Sequence, residues 1–129
     1  MTGLTTAKLR PKYLNVAKIR LPIPGLVSIL HRVSGAGLFF VLPVLIWTLD
    51  LSLVSSQGFA SVKSAVDNPL IKVMLLGILW ALLHHFFAGI RYLLLDLQAG
   101  MELRSARASA WTVLGVSLAL TAFLGARLW

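Results

Sequence analysis

The sequence predicts an all-α membrane protein whose chain crosses the bilayer three times. Hydrophobic residues make up 58% of the 129 residues and charged residues 12%, about half the charged share of an average soluble domain. Three segments contain no Lys, Arg, Asp or Glu: residues 33–49, 73–90 and 108–126. Each approaches the roughly 20 apolar residues that a helix needs to span a bilayer. We therefore predict one membrane-anchor domain over residues 1–129, with spans at about residues 26–53, 70–97 and 106–128.

The segment before the first span, residues 1–24, is predicted to be a short cytoplasmic arm. It holds five basic residues and no acidic one, and it lacks the apolar run of a secretory signal. Pro22 and Pro24, followed by Gly25, mark the change from this arm to the first helix. The five basic residues are Lys8, Arg10, Lys12, Lys18 and Arg20.

Two connections complete the predicted topology. Residues 55–69 are predicted to form an outer loop that ends at Asn68-Pro69, a pair suited to begin the second helix. Residues 98–102, which include Gly100, are predicted to form the inner turn before the third span. Because three spans of about 20 residues use about half of the chain, there is no room for a separate catalytic domain.

The distribution of basic residues predicts the orientation. Seven of them lie on the side of the arm and the inner turn, and three lie on the other side. The positive-inside rule therefore places the N-terminus in the cytoplasm of a bacterium or, as the less favoured alternative, in the mitochondrial matrix. This topology accounts for the net charge of +8, so nucleic-acid binding is not predicted. The chain has no Cys, which excludes disulfides, thiolate catalysis and iron–sulfur ligation by this chain.

Polar residues form a first cluster at the start of the first span, and ionisable groups within a bilayer point to function. Ser28, Arg32 and Gly35 fall within about 60° of one another on a helix, and His31 lies one step to the side. A hydroxyl, an imidazole and a guanidinium thus lie near the cytoplasmic surface. Alternatively, Arg32 only anchors the helix end by extending to the interface, which leaves Ser28 and His31 without a role.

A second cluster forms a stripe on the second span. His85, Gly89, Tyr92 and Asp96 share one helix face, and His85 lies about 17 Å from Asp96, near the middle of the bilayer. A histidine at that depth could form a helix–helix hydrogen bond, belong to a proton relay, or ligate a metal or haem. His84 points about 100° away and is not expected to serve the same site.

Two expectations concern a haem at the depth of His85. Arg32 and Arg91 could pair with its propionates. His31 is an internal candidate for the second axial ligand, but it lies only about 9 Å in from Gly25, which is too shallow. The second ligand is therefore expected from another subunit.

The sequence resembles the cytochrome b556 anchor subunits of succinate dehydrogenase, respiratory complex II. Three segments carry the resemblance: Arg10-Pro11 through Ile23 in the arm, Ser28-Ile-Leu-His31-Arg32-Val-Ser34-Gly35 in the first span, and His85-x-x-x-Gly89-Ile-Arg91 through Asp96 in the second. With three spans of matching length and order, the resemblance covers nearly the whole chain. The sequence looks similar to the enterobacterial-like bacterial form, which has His where this chain has Tyr92.

The resemblance implies a complex of four different subunits in the bacterial inner membrane. A flavoprotein oxidises succinate, an iron–sulfur subunit passes the electrons on, and two small anchors hold a haem b and a ubiquinone site. This subunit would have no catalytic activity alone. Its His85 would be an axial haem ligand, with the other imidazole from the partner anchor. Ser28 and Arg32 would bind quinone, and His31 and Arg32 would lie near the haem propionates.

Two alternatives stay open at this point. The chain could be the anchor of a related quinol:fumarate reductase, whose residues would share most of these features. It could also be a non-redox membrane scaffold or transporter module that uses His85 and Arg32 for packing or proton relay. Glycines in the spans are expected to allow close helix packing: Gly35, Gly37, Gly77, Gly89 and Gly115.

Overall fold

A computed structural model describes residues 20–128, and over that range the chain is helical without any strand. Its four helices are α1 (Ile23–Val54), α2 (Ser56–Val66), α3 (Pro69–Asp96) and α4 (Leu103–Leu128). The all-α prediction is confirmed. Four of the five basic residues of the predicted arm lie outside the described residues: Lys8, Arg10, Lys12 and Lys18.

Three of the helices are long and apolar enough to cross a membrane. They are α1 with 32 residues, α3 with 28 and α4 with 26, and their mean hydropathies are 2.1, 2.0 and 1.6. Even α4 extends about 39 Å, which exceeds the roughly 30 Å thickness of the hydrocarbon core. The prediction of three spans agrees with these helices, and the chain is a multi-pass membrane protein.

The starts of α1 and α3 follow from local sequence. Pro22 precedes α1 and Pro24 lies in its first turn, where the missing N–H removes no helical hydrogen bond. Asn68 caps α3 because its side-chain oxygen accepts a hydrogen bond from the Leu70 N–H at 2.9 Å. Pro69 occupies the first position of α3, as the sequence predicted.

The predicted outer loop at residues 55–69 contains a helix, so this prediction is wrong in its local structure. The side chain of Ser55 caps α2 by accepting a hydrogen bond from the Gly58 N–H at 3.0 Å. Gly58 is buried against the Leu51 carbonyl, so close that a Cβ there would collide with it. Ser55 and Gly58, which the sequence analysis took as loop residues, are therefore a helix cap and a packing contact.

The three long helices alternate in direction. The last third of α3 contacts the starts of α1 and α4, and the start of α3 contacts later residues of both helices. Helix α3 therefore runs antiparallel to α1 and to α4. The start of α1 and the α3–α4 turn thus share one end of the bundle, which we call the turn end. Gln98 and Gly100 have positive φ values of 59° and 79° in this turn, where the inner turn was predicted.

The glycine predictions have mixed outcomes. Gly35 and Gly89 lie against histidine rings of the facing helix. Three others have open space around them within residues 20–128, so their packing role stays a prediction: Gly37, Gly77 and Gly115. A close packing contact that the sequence analysis missed is Gly125 on α4, where an added Cβ would lie 2.5 Å from the Leu76 side chain of α3.

We expect Gly125→Leu to destabilise the assembled protein by about 1–3 kcal/mol, because overpacking forces α3 and α4 apart. The measurement is the thermal unfolding midpoint of the purified complex. Adding Leu76→Ala should restore part of the loss, and Gly115→Leu is the control with open space. An unchanged midpoint in Gly125→Leu would contradict the packing.

Candidate functional site at the histidine pair of α1 and α3

The two polar clusters predicted from the sequence meet between α1 and α3. The rings of His31 and His85 are stacked, with centroids 4.2 Å apart and planes 10° from parallel. His31 therefore lies at the depth of His85, and the depth argument against His31 as the second axial ligand is wrong. His31 lies about 12 Å from the start of α1 and His85 about 17 Å from the end of α3, so α3 extends further at the turn end. Depth counted from helix ends ignored this offset.

A hydrogen bond fixes the state of the His85 ring. Its Nδ1 lies 3.1 Å from the backbone carbonyl oxygen of His31. Since a carbonyl oxygen only accepts, Nδ1 carries the proton, and the lone pair of the neutral ring is at Nε2. No group within residues 20–128 forms a hydrogen bond with that Nε2. Metal-binding histidines typically donate their other N–H to a carbonyl in this way.

Ser34 is a site residue to which the sequence analysis assigned no role. It is buried, and its hydroxyl donates to the carbonyl oxygen of His31 at 3.0 Å. The same hydroxyl lies 3.4 Å from His85 Nδ1. Its position three residues after His31, on the turn whose carbonyl it binds, was the available signal.

Two glycines make room for the histidine pair. A Cβ added to Gly35 on α1 would lie 2.8 Å from Cε1 of His85. A Cβ added to Gly89 on α3 would lie 3.8 Å from Nε2 of His31. Each histidine thus lies against a glycine of the opposite helix, and a larger residue at position 35 would displace the His85 ring.

Two polar atoms beside the pair have no hydrogen-bond partner in the described part of the chain. They are Nε2 of His31 and the hydroxyl of Tyr92, and both are buried. The two rings are adjacent, with centroids 5.2 Å apart. Because an unsatisfied buried polar group costs about 1–3 kcal/mol, these two atoms favour the presence of a polar ligand beside the histidine pair.

Ser28 lies on α1 between the histidine pair and the turn end, and Arg32 follows His31 directly, at the depth of the pair. Ser28 is half-buried and Arg32 is exposed. Neither side chain forms a hydrogen bond within residues 20–128, and their spacing of four places them on one helix face. Both are available to a ligand or to another subunit.

Arg91 makes its hydrogen bonds to α4 and none to the histidine pair, and its Cζ lies 5.6 Å from the centroid of the Tyr92 ring. Its expected pairing with a haem propionate stays a prediction. Arg91 is buried, and it donates from Nε to the Ser109 hydroxyl at 2.9 Å and from Nη2 to the Ala106 carbonyl at 3.2 Å. Arg91 lies about 120° from His85 around α3, which directs it to α4. His84 shares the side of Arg91, and its nitrogens have no partner among the described residues.

The fold and the site define a polytopic helical membrane subunit that holds a hydrogen-bonded histidine between two spans. Residues 6–124 match the family of succinate dehydrogenase/fumarate reductase transmembrane subunits. The chain belongs to this family, and the resemblance to its cytochrome b556 subunits is confirmed.

Several similar proteins are named succinate dehydrogenase cytochrome b556 subunit. The one from Coxiella burnetii is 34% identical over 121 residues, which cover 93% of this chain and 97% of that protein. The one from Paracoccus denitrificans is 31% identical over 111 residues, 86% of this chain and 85% of that protein. The one from Rickettsia typhi is 33% identical over 79% of both chains.

We predict that His85 in the haem-free chain is protonated on Nδ1, because the His31 carbonyl is its acceptor. Solid-state ¹⁵N NMR of histidine-labelled protein at about pH 8, where histidine in water is neutral, measures this. Comparison with His85→Gln assigns the signal. Ser34→Ala should keep the same tautomer, since the carbonyl remains. A proton on Nε2 would contradict the geometry.

Proposed function

We propose that this chain is the haem b- and ubiquinone-binding anchor of a succinate dehydrogenase and passes electrons from the iron–sulfur subunit to ubiquinone. The observation that carries the proposal is the His85 ring, whose Nδ1 is engaged by the His31 carbonyl and whose Nε2 keeps its lone pair. The name cytochrome b556, which the relatives bear, supports haem b as the group.

The residues around His85 fit a haem. Nε2 of His85 would be an axial ligand, and Gly35 and Gly89 leave space beside the two rings. The unpartnered Nε2 of His31 and hydroxyl of Tyr92 can donate to propionates, and Arg32 can add positive charge. When bound, the haem supplies a one-electron carrier within the membrane.

The second axial ligand would come from the partner anchor subunit. The ring of His31 is stacked nearly parallel to that of His85, with centroids 4.2 Å apart, so this chain would hold a haem through His85 and place His31 beside that ligand. The stacking of the two rings, and not the depth of His31, therefore favours a second ligand from another subunit.

Ser28 and Arg32 would form this chain's part of the quinone site. The Ser28 hydroxyl can donate a hydrogen bond to a quinone carbonyl oxygen, and the Arg32 guanidinium can stabilise negative charge on that oxygen as it is reduced. His31, one residue before Arg32, is near enough to the turn end to exchange protons with water there. The availability of Ser28 and Arg32 on one face of α1 supports their role in quinone binding.

The complex would contain three partners: a second small anchor, an iron–sulfur subunit and a flavoprotein. None of the residues in the most apolar window of α1 is buried, which favours α1 as a helix that packs against the second anchor. The excess of basic residues at the turn end favours a cytoplasmic turn end and N-terminus in a bacterial inner membrane.

The relatives reported above are named for succinate dehydrogenase, which favours succinate oxidation over fumarate reduction. A non-redox scaffold offers no reason for the open Nε2 of His85 or for the buried unpartnered atoms beside it. A redox anchor therefore explains the site better than a non-redox scaffold, and the names of the relatives favour succinate dehydrogenase over fumarate reductase.

We expect His85→Ala to remove or shift the b-type band in a reduced-minus-oxidised spectrum of the assembled complex, because an axial ligand is lost. The matched control is His84→Leu, which removes the neighbouring imidazole on the other face. A spectrum of His85→Ala identical to that of the unchanged complex would refute the assignment.

We expect Ser28→Ala and Arg32→Leu each to lower quinone reduction roughly tenfold or more, since donors to a developing negative charge are lost. Succinate oxidation with an artificial acceptor should persist. Ser52→Ala and Arg127→Leu are controls that remove the same groups elsewhere. Equal loss of both activities would indicate an assembly defect and contradict a quinone role.

A further inference from the structure

A crevice of about 500 Å³ lies between α3 and α4 at the turn end, apart from the histidine pair. Its walls are mostly apolar side chains, among them Phe87, Ile90 and Val116. Along α4 it extends from Ser105 to Val116, about 17 Å. This is about half of the roughly 30 Å hydrocarbon core, so the crevice is as deep as one lipid leaflet.

A buried charge lies in this crevice. Arg91 lines it and is only 6% exposed. The guanidinium donates to the Ser109 hydroxyl and the Ala106 carbonyl, which are both uncharged. No carboxylate pairs with it within residues 20–128. A buried charge without a counter-charge is costly, so the site favours an anionic group.

The mouth of the crevice is polar, and the net charge around the α3–α4 turn equals the one positive charge of Arg91. Ser105 and Gly100 line it beside the α3–α4 turn. Five charged residues lie between position 91 and position 107, and together they carry a net charge of +1, from three arginines and two acids. They are Arg91, Asp96, Glu102, Arg104 and Arg107, and all except Arg91 are exposed.

We propose that this crevice binds an anionic membrane phospholipid. Its phosphate pairs with the guanidinium of Arg91 near the mouth, and Ser105 adds a hydroxyl donor. One acyl chain lies along the apolar wall toward Val116. The bound lipid neutralises Arg91 and fills the space between α3 and α4. This site does not depend on haem or quinone binding at the histidine pair.

The test reconstitutes the intact complex in vesicles of phosphatidylcholine with and without phosphatidylglycerol, and native mass spectrometry counts the lipids retained on it. The unchanged complex should retain phosphatidylglycerol over phosphatidylcholine. In Arg91→Gln, one bound lipid per complex should show about tenfold less preference for phosphatidylglycerol over phosphatidylcholine. The physical reason is the loss of a hydrogen bond to a charged group. Val116→Trp should expel that lipid by filling the crevice.

Two matched controls carry the same changes outside the crevice: Arg127→Gln at the opposite end of α4, and Leu118→Trp on its exposed surface. Both should retain the lipid. The same spectra report subunit assembly, so if Arg91→Gln fails to assemble, Val116→Trp decides the result. Retention of phosphatidylglycerol by Val116→Trp at the unchanged level would overturn the proposal. Loss of ubiquinone instead of phospholipid from that variant would also overturn it.

Discussion

The hydrogen bond from His85 Nδ1 to the His31 carbonyl is the interaction on which the site depends. Hydrocarbon offers no partner for an imidazole N–H, so a histidine in a membrane span must find its acceptor inside the protein. The acceptor here is a backbone atom of the neighbouring helix. The bond therefore fixes the offset between α1 and α3 and, in the same step, leaves the lone pair of the His85 ring at Nε2.

The surrounding residues are arranged around that bond. Gly35 and Gly89 admit the rings at the helix interface, and Ser34 holds the shared carbonyl. The rest of α3 is divided into two faces. One face carries His85 and Tyr92 beside His31, and the other carries the buried stripe of His84, Ala88 and Arg91. The same helix thus builds a ligand site with α1 and a charged contact with α4.

The sequence predicts the spans well because the absence of charge over 17 to 19 residues is a strong constraint in a bilayer. It fails for α2, where Ser55 and Gly58 were interpreted as loop residues and are a cap and a packing glycine. The general rule is that periodicity within a helix does not report which residues pack against that helix. Open space around Gly77 and the missed contact at Gly125 have this same cause.

The candidate site is likewise predictable from the sequence in part: relations within one helix are predicted, and relations between two helices are not. Helical spacing selects His85 over His84 and groups Ser28 with Arg32, since these relations lie within one helix. The stacking of His31 on His85 depends on the offset between two helices, which no single helix encodes. The direction of Arg91 was predictable, because an angle of about 120° from His85 follows from its position alone.

The most direct test of the central claim is a density map of the purified complex at a resolution that shows side chains. The account predicts iron bonded to Nε2 of His85, with Nδ1 still on the His31 carbonyl and the opposite axial ligand from another subunit. A map in which His85 contacts only protein or lipid, while iron is held by other side chains or is absent, would contradict it.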